Sequence, residues 1–253
     1  MNGYYKYLAI GMALAMLFMV GCFSGKKPLQ TLSYQSTDTK NKQLIIFLQG
    51  LGGTMNCLID AHKCFEAEGM VESVRIRKIP FDMIAPNTHF GYYNARTLEH
   101  RLRQDVILPA KTAGYDKIWL VGVSMGGLGS LLYLKNHTED ISGVLTMGPF
   151  LGDSDIVDEI YAAGGLQTWE PGTYDKKDDW QRMLWHWLKE YNHGSDTLPP
   201  IYLGLATEDG YYRGQKLLAD YLPPDRVIET PGKHSFSTFK NIWDIFLDEQ
   251  VLQ

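Results

Sequence analysis

Residues 116–134 read Asp116-Lys117-Ile118-Trp119-Leu120-Val121-Gly122-Val123-Ser124-Met125-Gly126-Gly127-Leu128-Gly129-Ser130-Leu131-Leu132-Tyr133-Leu134. The unbroken apolar run up to Val123 predicts a buried strand over 117–123, and Met125, Leu128, Leu131 and Leu132 then recur at helical spacing. Ser124 therefore stands on a sharp strand-to-helix turn, a nucleophile elbow. On such a turn, side chains two residues before and after the serine would collide, and Gly122 and Gly126 remove them. The helix that follows aims its free N–H groups and positive dipole end at the serine, where negative charge develops during acyl transfer. A Gly-x-Ser-x-Gly arises by chance in roughly one chain in ten of this length, so its partners elsewhere must decide its meaning.

Working outward, residues 43–49 form a second continuous apolar strand that stops at Gly50-Leu51-Gly52-Gly53. A doubly buried strand, a glycine-rich loop and a helix make the start of a parallel sheet. The loop has two readings. It is a tight turn, or an oxyanion loop in which the Leu51 N–H acts together with the Met125 N–H. A helix is expected over 56–68, a strand over 74–80 from its apolar and basic alternation, and a long loop over 81–93. The next helix carries Leu98, Leu102, Val106 and Ala110 on one face, with Pro109 bending or ending it. Further strands are expected at 143–150, 199–206 and 226–229. Strands alternating with helices at this spacing give an α/β fold, a doubly wound and mainly parallel sheet with ligands at the C-terminal strand ends.

Residues 151–198 break that rhythm and read as a helical cap insert. Within them Trp180, Met183, Leu184, Trp187, Leu188 and Tyr191 mark one helical face, either an ordinary packed helix or a cap shaping an apolar acyl pocket. Phe150, Trp169 and Trp185 are the candidate pocket residues.

A serine hydroxyl needs a histidine base, and the histidine needs a carboxylate to fix its tautomer. Asp209 follows the strand at 199–206, and His234 follows the strand at 226–229. Glu208 is the alternative acid, and among the other histidines His89 is the one whose loop keeps it in view. The order Ser124, Asp209, His234, together with the glycine loop and a last helix bearing Phe236, Phe239, Trp243 and Phe246, resembles the α/β-hydrolase family over nearly all of residues 43–250. That resemblance implies Ser124 as nucleophile, Asp209 as orienting acid, His234 as base, and Leu51 and Met125 as oxyanion donors. It implies an esterase or lipase-like serine hydrolase acting on a small-molecule or lipid ester, a thioester or amide being the alternative bond, with no cofactor and no metal. Gln49 stands where the family often has histidine before the loop glycine, which touches the support of that loop. A non-catalytic binding protein on the same fold and an acyltransferase remain the other readings.

The chain's 253 residues and net charge of −5, without a basic stretch, argue against nucleic acid as a partner. Its three cysteines make no metal-ligand pattern. Cys57 and Cys64 on one unbroken helix would lie about 10 Å apart, beyond disulfide reach, whereas an oxidising compartment favours the bond. Residues 1–21 carry Lys6 and an apolar run too short to span a bilayer, ending Met19-Val20-Gly21-Cys22. This resembles a bacterial lipoprotein signal with Cys22 as the lipidated residue, an uncleaved anchor being the alternative. Either places the protein in the bacterial cell envelope, membrane-tethered, with 22–42 as tether, in which 31–36 reads as an edge strand, and 43–253 as the hydrolase domain. The sequence leaves the oligomeric state open.

Overall fold

The computed structural model describes residues 25–36, 42–51, 61–191 and 193–252. The signal, Cys22, part of the tether, Gly52, Gly53 and Cys57 lie outside the described residues. Seven strands make one sheet: β1 (Thr31–Tyr34), β2 (Gln43–Leu48), β3 (Asp82–Pro86), β4 (Lys117–Val123), β5 (Gly143–Met147), β6 (Ile201–Ala206) and β7 (Val227–Thr230). Their order is β1-β3-β2-β4-β5-β6-β7, and only the edge strand β1 runs antiparallel.

The apolar runs fill both faces of this sheet because alternate side chains point to opposite sides. Leu44, Ile46 and Leu48 of β2 and Leu120 of β4 join one core with Leu128, Leu131 and Leu134. Ile45, Phe47, Trp119 and Val121 join the other, with Phe239, Trp243 and Phe246. Each such fully buried aliphatic or aromatic side chain stabilises the fold by about 1.5–3 kcal/mol. Ten α-helices among the described residues cover these faces: α1 (Cys64–Ala67), α2 (Met70–Ile76), α3 (Phe90–Asn94), α4 (Leu98–Leu102), α5 (Leu108–Thr112), α6 (Met125–Asn136), α7 (Ser154–Ala162), α8 (Trp180–Glu190), α9 (Tyr212–Ala219) and α10 (Phe236–Asp248). Helices α7 and α8 lie in the long connection between β5 and β6. None of the described helices is long and apolar enough to cross a membrane.

The expected strand over 74–80 is instead the end of α2 and a turn, and the strand forms within the expected loop, as β3. The alternation of Val74, Ile76 and Ile79 misleads because Ile76 is 70% exposed while Met70, Val71 and Val74 are buried on one helical face. Gly69, at φ 78, supplies the left-handed residue that starts this helix. The basic residues of the alternation serve the helix too, since Arg77 clamps Asp248 on α10 with Nε at 2.7 Å and Nη2 at 3.0 Å. The expected helix over 56–68 is interrupted in its described part, where a 3-10 turn, Ala61–Lys63, leads into the short α1. That interruption removes the premise of an unbroken helix, and Cys64 is disulfide-bonded. Pro109 does not end its helix, which runs on to Thr112. Lacking an N–H, it follows a π-helical segment, Arg103–Ile107, whose wider turn absorbs the missing bond, and α5 continues beyond it.

Candidate active site

The C-terminal ends of β4, β5, β6 and β7 lie side by side, and the four loops leaving them carry the candidate residues. Ser124 sits between β4 and α6 at φ 53, ψ −115, outside the usual regions for an L-residue, a conformation costing of order 1–3 kcal/mol. Backbone bonds hold it there. Its N–H donates to the Met147 carbonyl at 2.9 Å, and its own carbonyl accepts from Gly127, Leu128 and Phe150. The glycines of the elbow are required by contact: a Cβ at Gly126 would stand 1.9 Å from the Leu48 carbonyl oxygen, and one at Gly122 would stand 2.2 Å from that of Gly126.

Gly50 brings the loop after β2 against the serine. A Cβ there would lie 2.9 Å from Ser124 Cβ and 3.1 Å from the Val123 carbonyl oxygen. The Leu51 N–H, one peptide on, and the Met125 N–H at the first turn of α6 are therefore neighbours of Ser124, and a first-turn N–H has no acceptor within its helix. The Met125 carbonyl accepts a hydrogen bond from Tyr93 Oη at 3.0 Å, which anchors this turn from the α3 side. Gln49 is buried, and its Nε2 donates to Asn87 Oδ1 at 3.1 Å, tying the loop after β2 to the loop after β3.

Asp209 and His234 meet. The His234 Nδ1 and Asp209 Oδ2 are 2.7 Å apart, with the carboxylate side chain wholly buried and the imidazole 29% exposed. Burial alone would raise the Asp209 carboxyl, but hydrogen bonds from His234, the Tyr211 N–H and Gln215 outweigh it and hold the group below its ordinary value. Glu208 is exposed. The ring of His234 is gripped edge-on by Tyr211 at 5.3 Å and Phe239 at 5.0 Å between centroids. Tyr211 in turn packs on Phe150, whose N–H bonds Ser124, so contacts run from the serine to the histidine. His89 lies elsewhere, capping α3 through a bond from the Gly91 N–H to its Nδ1.

Beside Met125 opens a cavity of about 500 Å3. Phe150 lines it, but Trp169 and Trp185 do not. Both are buried in the core, where Trp169 Nε1 donates to Glu159 and Trp185 Nε1 donates to the Leu151 carbonyl at 2.8 Å. Indole N–H groups need such partners when buried, and each ring is spent on packing. The half-buried edge of α8 supplies Trp180 and Met183 to the cavity in their place. Those two were in the helical stripe, and their lesser burial was the signal that sequence could not carry. Gln215 and Tyr211, which support Asp209, had no sequence signal at all.

Among the described residues one cluster has metal-ligating atoms within reach, His137, Glu139 and Asp140, within 4.8 Å of one another. Burial would raise the Asp140 carboxyl, but Arg103, Lys111 and Tyr133 bond it and hold it at about 2. With two cations already on Asp140, this donor set repels a metal ion.

No family model matches the sequence, and no curated protein does. Solved structures do match. The chain is similar to a fluorophosphonate-binding serine hydrolase, FphF, of Staphylococcus aureus at 12% identity, covering 89% of this chain and 99% of that one, TM-score 0.58. It is similar to Est1E of Butyrivibrio proteoclasticus, solved with ferulic acid, at 15% identity over 89% and 96%, TM-score 0.56. A monoacylglycerol lipase of Paleococcus ferrophilus matches at 16% identity over 88% and 99%, TM-score 0.52. These likenesses show the fold, which is that of the α/β-hydrolases.

Proposed function

We propose that the protein is a serine hydrolase that cleaves carboxylic esters through an acyl-enzyme on Ser124. The observation that carries this reading is the buried Asp209 carboxylate bonded to His234 Nδ1 at 2.7 Å, on loops that leave the same end of the sheet as the strained Ser124. With Nδ1 engaged, the other imidazole nitrogen, Nε2, is the one left to take the Ser124 proton. Oγ then attacks the ester carbonyl, and the Leu51 and Met125 N–H groups receive the developing oxyanion. His234 passes its proton to the leaving alkoxide, and afterwards draws a proton from water to release the acid and restore the serine. Esterase, lipase and serine hydrolase stand in the names of the similar structures, which supports an ester as the substrate class.

Labelling tests it. A fluorophosphonate probe should modify Ser124 in the folded domain, with the adduct mapped by mass spectrometry and lost in His234→Ala. Well-folded protein that takes no label, or takes it on another residue, would sink the proposal.

We further propose that Cys22 is lipidated and tethers the enzyme to a membrane of the bacterial cell envelope. The support is the apolar run ending in Gly21-Cys22. From Gly25 onward the chain already bonds the domain, with Thr97 Oγ1 donating to the Gly25 carbonyl, the Leu29 N–H donating to Asp105 and β1 paired in the sheet, so an anchor at Cys22 would hold the domain close to the bilayer. Cys22→Ala should shift the protein from the membrane fraction to the soluble one. Continued membrane association of that variant would exclude lipid as the anchor.

A further inference from the structure

The charges around the cavity are sorted in a way that the protein's overall balance does not predict. Its net charge is −5, yet the cavity beside Met125 is lined by Arg96, Lys176 and Lys177 against a single carboxylate, Glu99. Glu99 is already an acceptor for Asn136. Among the described residues, Arg96 and the two lysine side chains enter no ion pair, whereas Arg101, Arg103, Lys111, Arg182 and Lys189 all do.

The loop before α8 does the sorting. It reads Asp175-Lys176-Lys177-Asp178-Asp179, and its carboxylates line a separate open groove with Glu159 and Glu170, while its two lysines line the cavity. Asp179 is further occupied as the cap of α8 and as a partner of Arg182. The remaining cavity wall is apolar, with Leu98, Leu128, Leu132, Trp180 and Met183. A low-dielectric wall focuses the field of nearby cations, so three of them with one counter-charge make a local attraction for an anion. Arg96 holds a left-handed backbone at φ 54 with no glycine to ease it, a cost that fixes where its guanidinium begins.

We propose that the acyl chain of the substrate is apolar next to the ester and ends in an anionic group, which Arg96, Lys176 and Lys177 receive. This rests on the reading of Ser124 as nucleophile, because it is Met125, the next residue, that places the cavity beside the reacting carbonyl. Leu128, Leu132 and Trp180 cover the methylenes, and the cations hold the terminal charge away from the reaction. A neutral lipid ester would fill the same walls but leave three cations without a partner.

The test uses two esters of equal chain length, p-nitrophenyl hydrogen suberate and p-nitrophenyl octanoate. Wild-type enzyme at low salt should favour the anionic ester by about tenfold in kcat/KM, a preference of the size one charge-assisted hydrogen bond gives. That preference should shrink as ionic strength rises. In the triple variant Arg96→Gln, Lys176→Gln, Lys177→Gln it should fall to about one, with the octanoate rate within about twofold of wild type. Equal rates on the two esters in wild type, or a preference that survives the triple change, overturns the proposal. Loss of binding to phosphatidylglycerol vesicles without a change in ester preference also overturns it, because the cations would then serve a membrane surface.

Binding of the same two esters to Ser124→Ala protein by calorimetry separates this inference from the one beneath it. Selective binding of the suberate, lost in the triple variant, supports the anion site even if wild-type protein cleaves neither ester and the hydrolase reading fails. Indifferent binding overturns the anion site whatever the enzyme does.

Discussion

Replacing Ser124 with alanine should lower kcat/KM on a p-nitrophenyl ester by at least about 10^4 while leaving the melting temperature within about 2 °C of wild type. The two halves of that expectation come from different atoms of the same residue. Activity depends on Oγ, the atom we propose as the nucleophile, and what would remain without it is the contribution of the oxyanion donors and of binding. Stability depends on atoms that alanine keeps. The N–H bond to Met147, the carbonyl's three acceptor bonds and the Cβ packed over Gly50 are all present in the variant. The left-handed backbone strain is likewise common to both residues. Ester turnover with thermal melting of the same sample checks this. A collapse of folding would make the hydroxyl structural, and activity surviving within tenfold would move the nucleophile elsewhere.

How much of this was legible beforehand depended on which physical signal a residue carries. The strand over Lys117–Val123 and the helix after it could be read because apolar burial imposes its period on the sequence and the elbow imposes its glycines. Asp209 and His234 could be paired from their order and from their places just past strand ends, although they are 25 positions apart. The stretch 74–80 could not be read correctly. Its alternation satisfied the strand period while its true partners, Asp244 and Asp248, lie about 170 residues away on α10. Nor could the pocket be ranked among tryptophans. Trp169 and Trp185 share composition with Trp180, and only the packing of α8 against the core decides which ring is consumed by it. Gln215 illustrates a further limit. Its role depends on Nε2 lying 3.3 Å from a carboxylate six positions earlier, and glutamine in a helix announces nothing of the kind.

The carboxylate itself is the subject of the second large effect. Asp209→Asn should lower kcat on ester substrates by about 10^4 while the fold persists. Asparagine is nearly the same shape, and its carbonyl oxygen can still accept the Tyr211 N–H that Asp209 Oδ1 accepts at 2.8 Å. That choice, however, turns the amide nitrogen toward His234. An N–H facing Nδ1 forces the imidazole to carry its proton on Nε2, the nitrogen we propose as the base, which can then no longer take a proton. The buried site also loses the negative charge that steadies the imidazolium, a charge now kept in place because hydrogen bonds hold the Asp209 carboxyl below its ordinary value. Labelling by fluorophosphonate should slow in parallel with turnover, since both need the same proton removed from Ser124. Glu208→Gln, changing an exposed neighbour, should alter kcat by less than about twofold. If Asp209→Asn were to retain activity within tenfold while Glu208→Gln lost it, the orienting carboxylate would be Glu208, and the 2.7 Å contact with His234 would be a resting arrangement that the reaction does not use.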